Sequence, residues 1–162
     1  MKTRTDRRRG FTVAELITVI AIIGILASVA IPVMSFGIRR QKEIELKDRL
    51  RRLTEAVDRY HELASQTPGS PVGLKDPPSV TQRGWPKDLE TLTKPVELGN
   101  GKKIRFLRDR DLIDPMTGKK EWNTLSDSDD PDTSSSNNDN VYEVHSKSTA
   151  LALDGKTHYN EW

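Results

Sequence analysis

The sequence predicts an α+β chain: a long N-terminal α-helix, transmembrane in its lower half and amphipathic in its upper half, packed on a small antiparallel β-sheet head. Three observations predict it. Between Phe11 and Phe36 the one charged side chain is Glu15. Leu46, Leu50, Leu53, Val57, Tyr60 and Ala64 then recur at spacings of three and four among charged residues, which gives a helix one dry face. Beyond residue 67, short alternating segments are separated by Pro, Gly and Asp clusters, as in short strands joined by turns.

The first segment, residues 1–10, is a basic leader. It carries Lys2, Arg4, Arg7, Arg8 and Arg9 against Asp6, whereas the whole chain of 162 residues has a net charge of +2. Without the leader, 21 basic side chains face 23 acidic ones, so a nucleic-acid partner, which calls for a basic surface, loses its main support. The second segment, 11–36, would be ~39 Å long as a helix and so covers a ~30 Å hydrocarbon layer. Five basic residues precede it, while Arg39, Arg40 and Lys42 follow, partly offset by Glu43 and Glu45; this favours an N-terminus inside the cell.

A basic stretch before an apolar run fits four kinds of export or insertion signal. A secretory signal would be cut after Ser28-Val29-Ala30, releasing a periplasmic binding module. A twin-arginine signal would use Arg8-Arg9-Gly10-Phe11. A plain anchor would stay uncut. None of these explains Glu15, whose charge costs ~2.5–3.5 kcal/mol at a bilayer centre and somewhat less near an end. A cut between Gly10 and Phe11 supplies the counter-ion, because the new α-amino group lies four residues before the carboxylate. Glu15 can alternatively complement the positive end of its own helix.

The stretch Gly10-Phe11-Thr12-Val13-Ala14-Glu15-Leu16, with an apolar run through Ile31-Pro32, resembles the prepilin signature of type IV pilins and type II secretion pseudopilins. The resemblance implies cleavage after Gly10 by a prepilin peptidase and N-methylation of Phe11. It also implies that Glu15 pairs with the Phe11 amine of a neighbouring subunit and sets the register of a filament. Pro32 removes a helix hydrogen bond and Gly24 weakens the helix, so these residues are expected to bend it, with Ser28–Pro32 loosening in the filament.

Residues 37–66 continue as the amphipathic helix, giving one helix from about Phe11 to about Ser65. Its charged face, including Lys42, Glu43, Lys47 and Arg49, reads first as solvated. Thr67-Pro68-Gly69-Ser70-Pro71 stops it and Asp76-Pro77-Pro78 keeps the following segment extended, which makes 67–83 a loop. In the head, 67–162, a short helix or turn is expected at Gly84–Leu92, with Trp85, Leu89 and Leu92 inward. Strands are expected at Ile104–Leu107, Glu121–Leu125 and Val141–Ser146, with a tight turn at Asp114–Gly118. The acidic loop 126–140 has five aspartates and no apolar residue except Pro131. It reads as a solvated loop that adds nothing to a core, or as a Ca²⁺ loop with Asp127 and Asp129 as ligands; Pro131 and Asp132 break the EF-hand pattern.

The head further resembles that of major pseudopilins, in Gly84-Trp85-Pro86, in the Leu112–Gly118 turn, and in Tyr142-Glu143-Val144-His145-Ser146 leading to Asn160-Glu161-Trp162. Many type IV pilins close a C-terminal disulfide, which a chain with no cysteine lacks. In the resemblance Ca²⁺ takes over, with Asp154 the best candidate and Asn160 beside it, although Thr149 stands where a second acid is expected. The resemblance implies a single-pass inner-membrane subunit, lipid-embedded before assembly, with its head in the periplasm. There it would polymerise into the pseudopilus of a type II secretion system with minor pseudopilins, an inner-membrane assembly platform and its ATPase. A type IV pilin of a motility or DNA-uptake pilus is the alternative.

Nothing points to an enzyme or an organic cofactor. His61-Glu62 opens an H-E-x-x-H motif that Ser65 ends, His145 and His158 lack neighbouring ligands, and no phosphate loop or G-x-S-x-G elbow is present.

Overall fold

The computed structural model describes residues 11–67, 69–130, 133 and 136–162. One helix, α1, runs from Val13 to Ala64. The chain divides into two compact units, one ending at Arg39 and the other spanning Arg40–Trp162. The part of α1 from Arg40 on falls in the second unit.

In the first unit the large apolar side chains are 49–82% exposed, from Val19 to Phe11, and every described side chain from Phe11 to Arg39 is exposed. The hydroxyls in this apolar stretch bond to their own helix: Thr18 Oγ1 donates to the Ala14 carbonyl at 2.9 Å and Ser28 Oγ to that of Ile25 at 2.7 Å. Such back-bonding removes the cost of a bare hydroxyl in an apolar setting. The α1 backbone continues through Gly24, Pro32 and Gly37.

The second unit is built on the predicted stripe. Leu46, Leu53 and Val57 are fully buried, Tyr60 and Leu63 nearly so, and Leu50 and Ala64 pack at the margin. They meet Leu92, Leu98, Leu107, Leu112, Trp122, Val144 and Tyr159 in one core. Four short strands follow: β1 Val96–Glu97, β2 Lys103–Ile104, β3 Trp122–Leu125 and β4 Glu143–Ser146. They form two separate antiparallel ladders, β1 with β2 and β3 with β4, the latter in the register Trp122–Ser146.

Several elements differ from the sequence expectation for identifiable reasons. The strand expected at Ile104–Leu107 ends at Ile104, because the N–H groups of Phe106 and Leu107 both donate to the Leu92 carbonyl, at 3.2 and 3.0 Å. Of the helix or turn expected at Gly84–Leu92, the turn forms; it leads into a 3-10 turn, Thr91–Thr93, with Asp88 accepting from the Thr91 N–H at 2.7 Å and from its hydroxyl at 2.8 Å. Val141 stays outside β4, because its N–H donates to the Pro86 carbonyl at 2.8 Å. The 67–83 loop contains a 3-10 turn at Val80–Gln82 and a bridge from Leu74 to Leu98. Trp85 is half-buried and stacks on His61 with centroids 3.8 Å apart. The stack needs Gly84 beneath it, since φ is +87° there and a Cβ would lie 3.0 Å from His61 Nδ1.

Candidate functional site

The leader and Gly10 lie outside the described residues, so the first described member of the site is Phe11, which is 82% exposed. Thr12 then caps α1. Its N–H and hydroxyl donate to Glu15 Oε2 at 2.9 and 3.0 Å, and the Glu15 N–H donates back to Thr12 Oγ1 at 3.3 Å. This reciprocal arrangement is a capping box, and such caps contribute ~1 kcal/mol to a helix. Thr12-Val13-Ala14-Glu15 has the spacing the motif requires, because the third helical residue faces back toward the cap. Of the two readings of Glu15, the single chain contains the one in which the carboxylate serves its own helix end. Above it, every described side chain as far as Arg39 is exposed. Cβ atoms placed at Gly24 and Gly37 would meet nothing within 4 Å.

The candidate calcium ligands fall into two hydrogen-bond networks. In the acidic loop, Asp127 accepts from Asn140 Nδ2 at 2.8 Å and from Arg83 at 3.1 Å; the Asn140 bond, followed by the Arg83 bond and charge, holds its carboxyl below the usual aspartate range. Asp129 accepts from the Ser126 N–H at 2.8 Å, which is the main cause of its own lowered value. The loop differs from a wholly solvated one at its base. Ser126 and Asn140 are 2% and 1% exposed, and Ser126 Oγ donates to the Asn140 carbonyl at 2.9 Å. Pro131 and Asp132 lie outside the described residues.

In the C-terminal segment, Asp154 accepts from the N–H of Lys156 at 2.8 Å, the Thr157 hydroxyl at 2.7 Å and the Thr157 N–H at 3.0 Å. These bonds lower its carboxyl to about 2. Asn160 is exposed within the 3-10 turn Tyr159–Glu161. Among the described residues no three His, Asp or Glu side chains converge as a metal site. A Ca²⁺ ion, which takes about 6–8 oxygens, would therefore have to draw mainly on backbone carbonyls and water around Asp154.

The sequence reading missed what fastens this segment. Glu43 Oε1 accepts from the Leu153 N–H at 2.7 Å and from the Tyr159 hydroxyl at 2.8 Å. Lys47 Nζ lies 4.4 Å from the Trp162 ring centroid, a cation–π distance. Arg49 pairs with the buried Asp111, and the fully buried Asp114 accepts from Ser146 Oγ and the Met116 N–H, both at 2.7 Å. Helical spacing could have found two of them. Glu43 precedes Leu46 by three, and Arg49 follows Leu46 by three and precedes Leu53 by four, so both lie along the buried stripe. Glu43 and Arg49 thus leave the solvated face on which their charge had put them, while Lys47 stays exposed on it.

Residues 5–31 match the prokaryotic N-terminal methylation motif. A 67-residue stretch is 43% identical to the type IV major pilin protein PilA of Myxococcus xanthus strain DK1622, covering 37% of this chain. The match spans 30% of that pilin's length. No solved structure matches at a significant level. The motif and this relative support a place in the type IV pilin-like prepilin superfamily, with which the long helix and small antiparallel head agree. Within α1 one stretch is long and apolar enough to cross a membrane.

Proposed function

We propose that this chain is the major pseudopilin of a type II secretion system, a subunit that polymerises into a periplasmic pseudopilus and drives protein export across the outer membrane. The observation that carries the reading is an apolar helix with none of its described surface covered, bearing one carboxylate in its first turn. Such a helix must be surrounded by lipid or by other helices. Before assembly it lies in the inner membrane. After cleavage between Gly10 and Phe11 and methylation of the new amine, it packs among its copies, and Glu15 exchanges its Thr12 cap for the Phe11 amine of a neighbour. Loosening at Ser28–Pro32, with Gly24 and Pro32 as the bend, belongs to that assembled state.

The prepilin peptidase, minor pseudopilins, and a membrane platform with its ATPase are the partners the reading requires. Ca²⁺ is proposed at the C-terminal segment, near Asp154 and Asn160, where it would add rigidity; calorimetry that detects no uptake would remove it. A second reading, a type IV pilin of a motility or DNA-uptake pilus, is favoured by the match to a type IV major pilin.

Two measurements test the proposal. Mass spectrometry of the mature N-terminus should find methylated Phe11, whereas a terminus at Ile31 would show release after Ala30. Deleting the gene should retain secreted proteins in the periplasm; surface filaments without a secretion defect would favour the pilus.

A further inference from the structure

Past its apolar run, α1 turns basic before it turns amphipathic. From Leu16 to Lys42 the chain has no acidic residue, and Arg39, Arg40 and Lys42 are its first charges after Glu15. All three side chains are exposed, and among the described residues none of them makes an ion pair. Helical spacing offers them two acids, Glu43 at three residues from Arg40 and four from Arg39, and Glu45 at three from Lys42. Both acids are engaged elsewhere. Glu43 Oε1 accepts from the Leu153 N–H and the Tyr159 hydroxyl, and Glu45 Oε1 lies 3.4 Å from Arg49 Nη2. Three cations therefore precede the first acid on this side of the run, and that acid is turned to other partners.

Arg39 closes the first compact unit and Arg40 and Lys42 open the second, so what the three share is their place along one helix. Arg39 stands three residues beyond Phe36 and Lys42 six, which is ~4.5 and ~9 Å of helix. A headgroup layer of ~5–7 Å flanks each side of a ~30 Å hydrocarbon core. Basic residues on the side opposite the leader run against the bias toward positive charge inside, so they call for a partner of their own. The run from Phe11 to Phe36 is also longer, at ~39 Å, than the core it crosses, and such an excess is settled by flanking Lys and Arg anchors. With Phe36 at the outer edge of the core, ~20 residues reach the inner edge near Ile17. Glu15 then lies past that edge, where a charge costs less than within the core.

We propose that Arg39, Arg40 and Lys42 bind the phosphate groups of anionic phospholipids in the outer leaflet of the membrane that α1 spans. A leaflet surrounds a helix, so the three cations need share no face. The guanidinium fork matches two phosphate oxygens at once, and the lysine adds a point charge. Basic residues next to a membrane span attract acidic headgroups in this way, and salt screens the attraction. The inference rests on the membrane-anchored reading and deepens it by naming the lipid.

The full-length chain reconstituted in vesicles provides the test. Because it has no cysteine, Gln41→Cys, exposed among the three cations, takes a single donor dye. The vesicles contain phosphatidylcholine and phosphatidylglycerol, with the acceptor dye on one lipid or the other. Energy transfer to labelled phosphatidylglycerol should exceed that to labelled phosphatidylcholine about twofold at low salt and fall toward equality at high salt. Arg39→Gln, Arg40→Gln and Lys42→Gln together should abolish the preference. Equal transfer to both lipids from the chain with its cations intact, or a preference that survives the triple substitution, would overturn the proposal while leaving the anchor in place. A preference removed by inorganic phosphate, but not by chloride at the same ionic strength, would give the cations to a dissolved anion and reject the lipid. A chain that washes off the vesicles in alkaline carbonate would overturn the anchored reading as well.

Discussion

From Phe11 to Arg39, α1 carries large apolar side chains that are half to four-fifths exposed, whereas from Arg40 onward the same helix buries Leu46, Leu53 and Val57 completely. The secondary structure is one and the same. What differs is where the cover comes from. The head folds its own chain over the stripe, with Leu92, Leu107, Trp122 and Tyr159 against it. Among the described residues nothing covers the stem, whose apolar side chains stay exposed. Polar groups follow the same division. In the stem Glu15, Thr12, Thr18 and Ser28 bond within one helical turn, while in the head Glu43 and Asp114 reach partners 110 and 32 residues away.

The largest effect expected is on the stem. Glu15→Ala should leave cleavage intact but lower sheared filament yield about tenfold or more, because an amine in the apolar assembly would lack its counter-ion; wild-type yield would dissolve the register role. Next comes the head's own cover. Leu53→Ala should destabilise the full chain in detergent by ~2–5 kcal/mol in denaturant unfolding without preventing membrane insertion. Insertion lost with stability would mean that the two regions are not energetically separate.

Glu43→Gln keeps an acceptor but loses charge, and Glu43→Ala removes the carboxylate that accepts from the Leu153 N–H and the Tyr159 hydroxyl. The alanine variant should cost ~1–3 kcal/mol and the glutamine variant less. A smaller effect shows in the pH dependence of stability. The Asp154 carboxyl is lowered from 3.8 to about 2 in the folded chain. Its contribution is therefore present above 3.8 and fades as pH falls through about 2. Asp154→Asn should lower stability modestly above pH 3.8 and flatten the acid limb, so that variant and wild type converge as pH falls through about 2; an unchanged limb would place the acid sensitivity elsewhere. The smallest effect belongs to Arg51 and Glu55, an exposed pair on α1, whose removal should shift unfolding by no more than ~0.5 kcal/mol.

Much of this division was legible in the sequence because periodicity is a long signal. Six apolar positions from Leu46 to Ala64 read as a buried stripe, and they are buried or packed at its margin. The lone Glu15 was equally visible, and its bond to Thr12 shares the spacing that marks a helix start. Short elements were not legible. Val96–Glu97 and Lys103–Ile104 are two residues each, too short for an alternation to register. Charge misled at Glu43 and Arg49, because a charged residue on a buried stripe is read as solvated until its distant partner is known, and Leu153 and Asp111 are separated from them by 110 and 62 residues.

The bonds of Glu43 bear on the order of events as the chain is made. Leu153 and Tyr159 are synthesised more than a hundred residues after Glu43, and closing so long a loop carries an entropy cost that local turns do not. The latch therefore cannot close until Leu153 and Tyr159 have emerged. A chain truncated before Leu153 lacks both bonds, so it stays distinguishable from one in which the latch has closed.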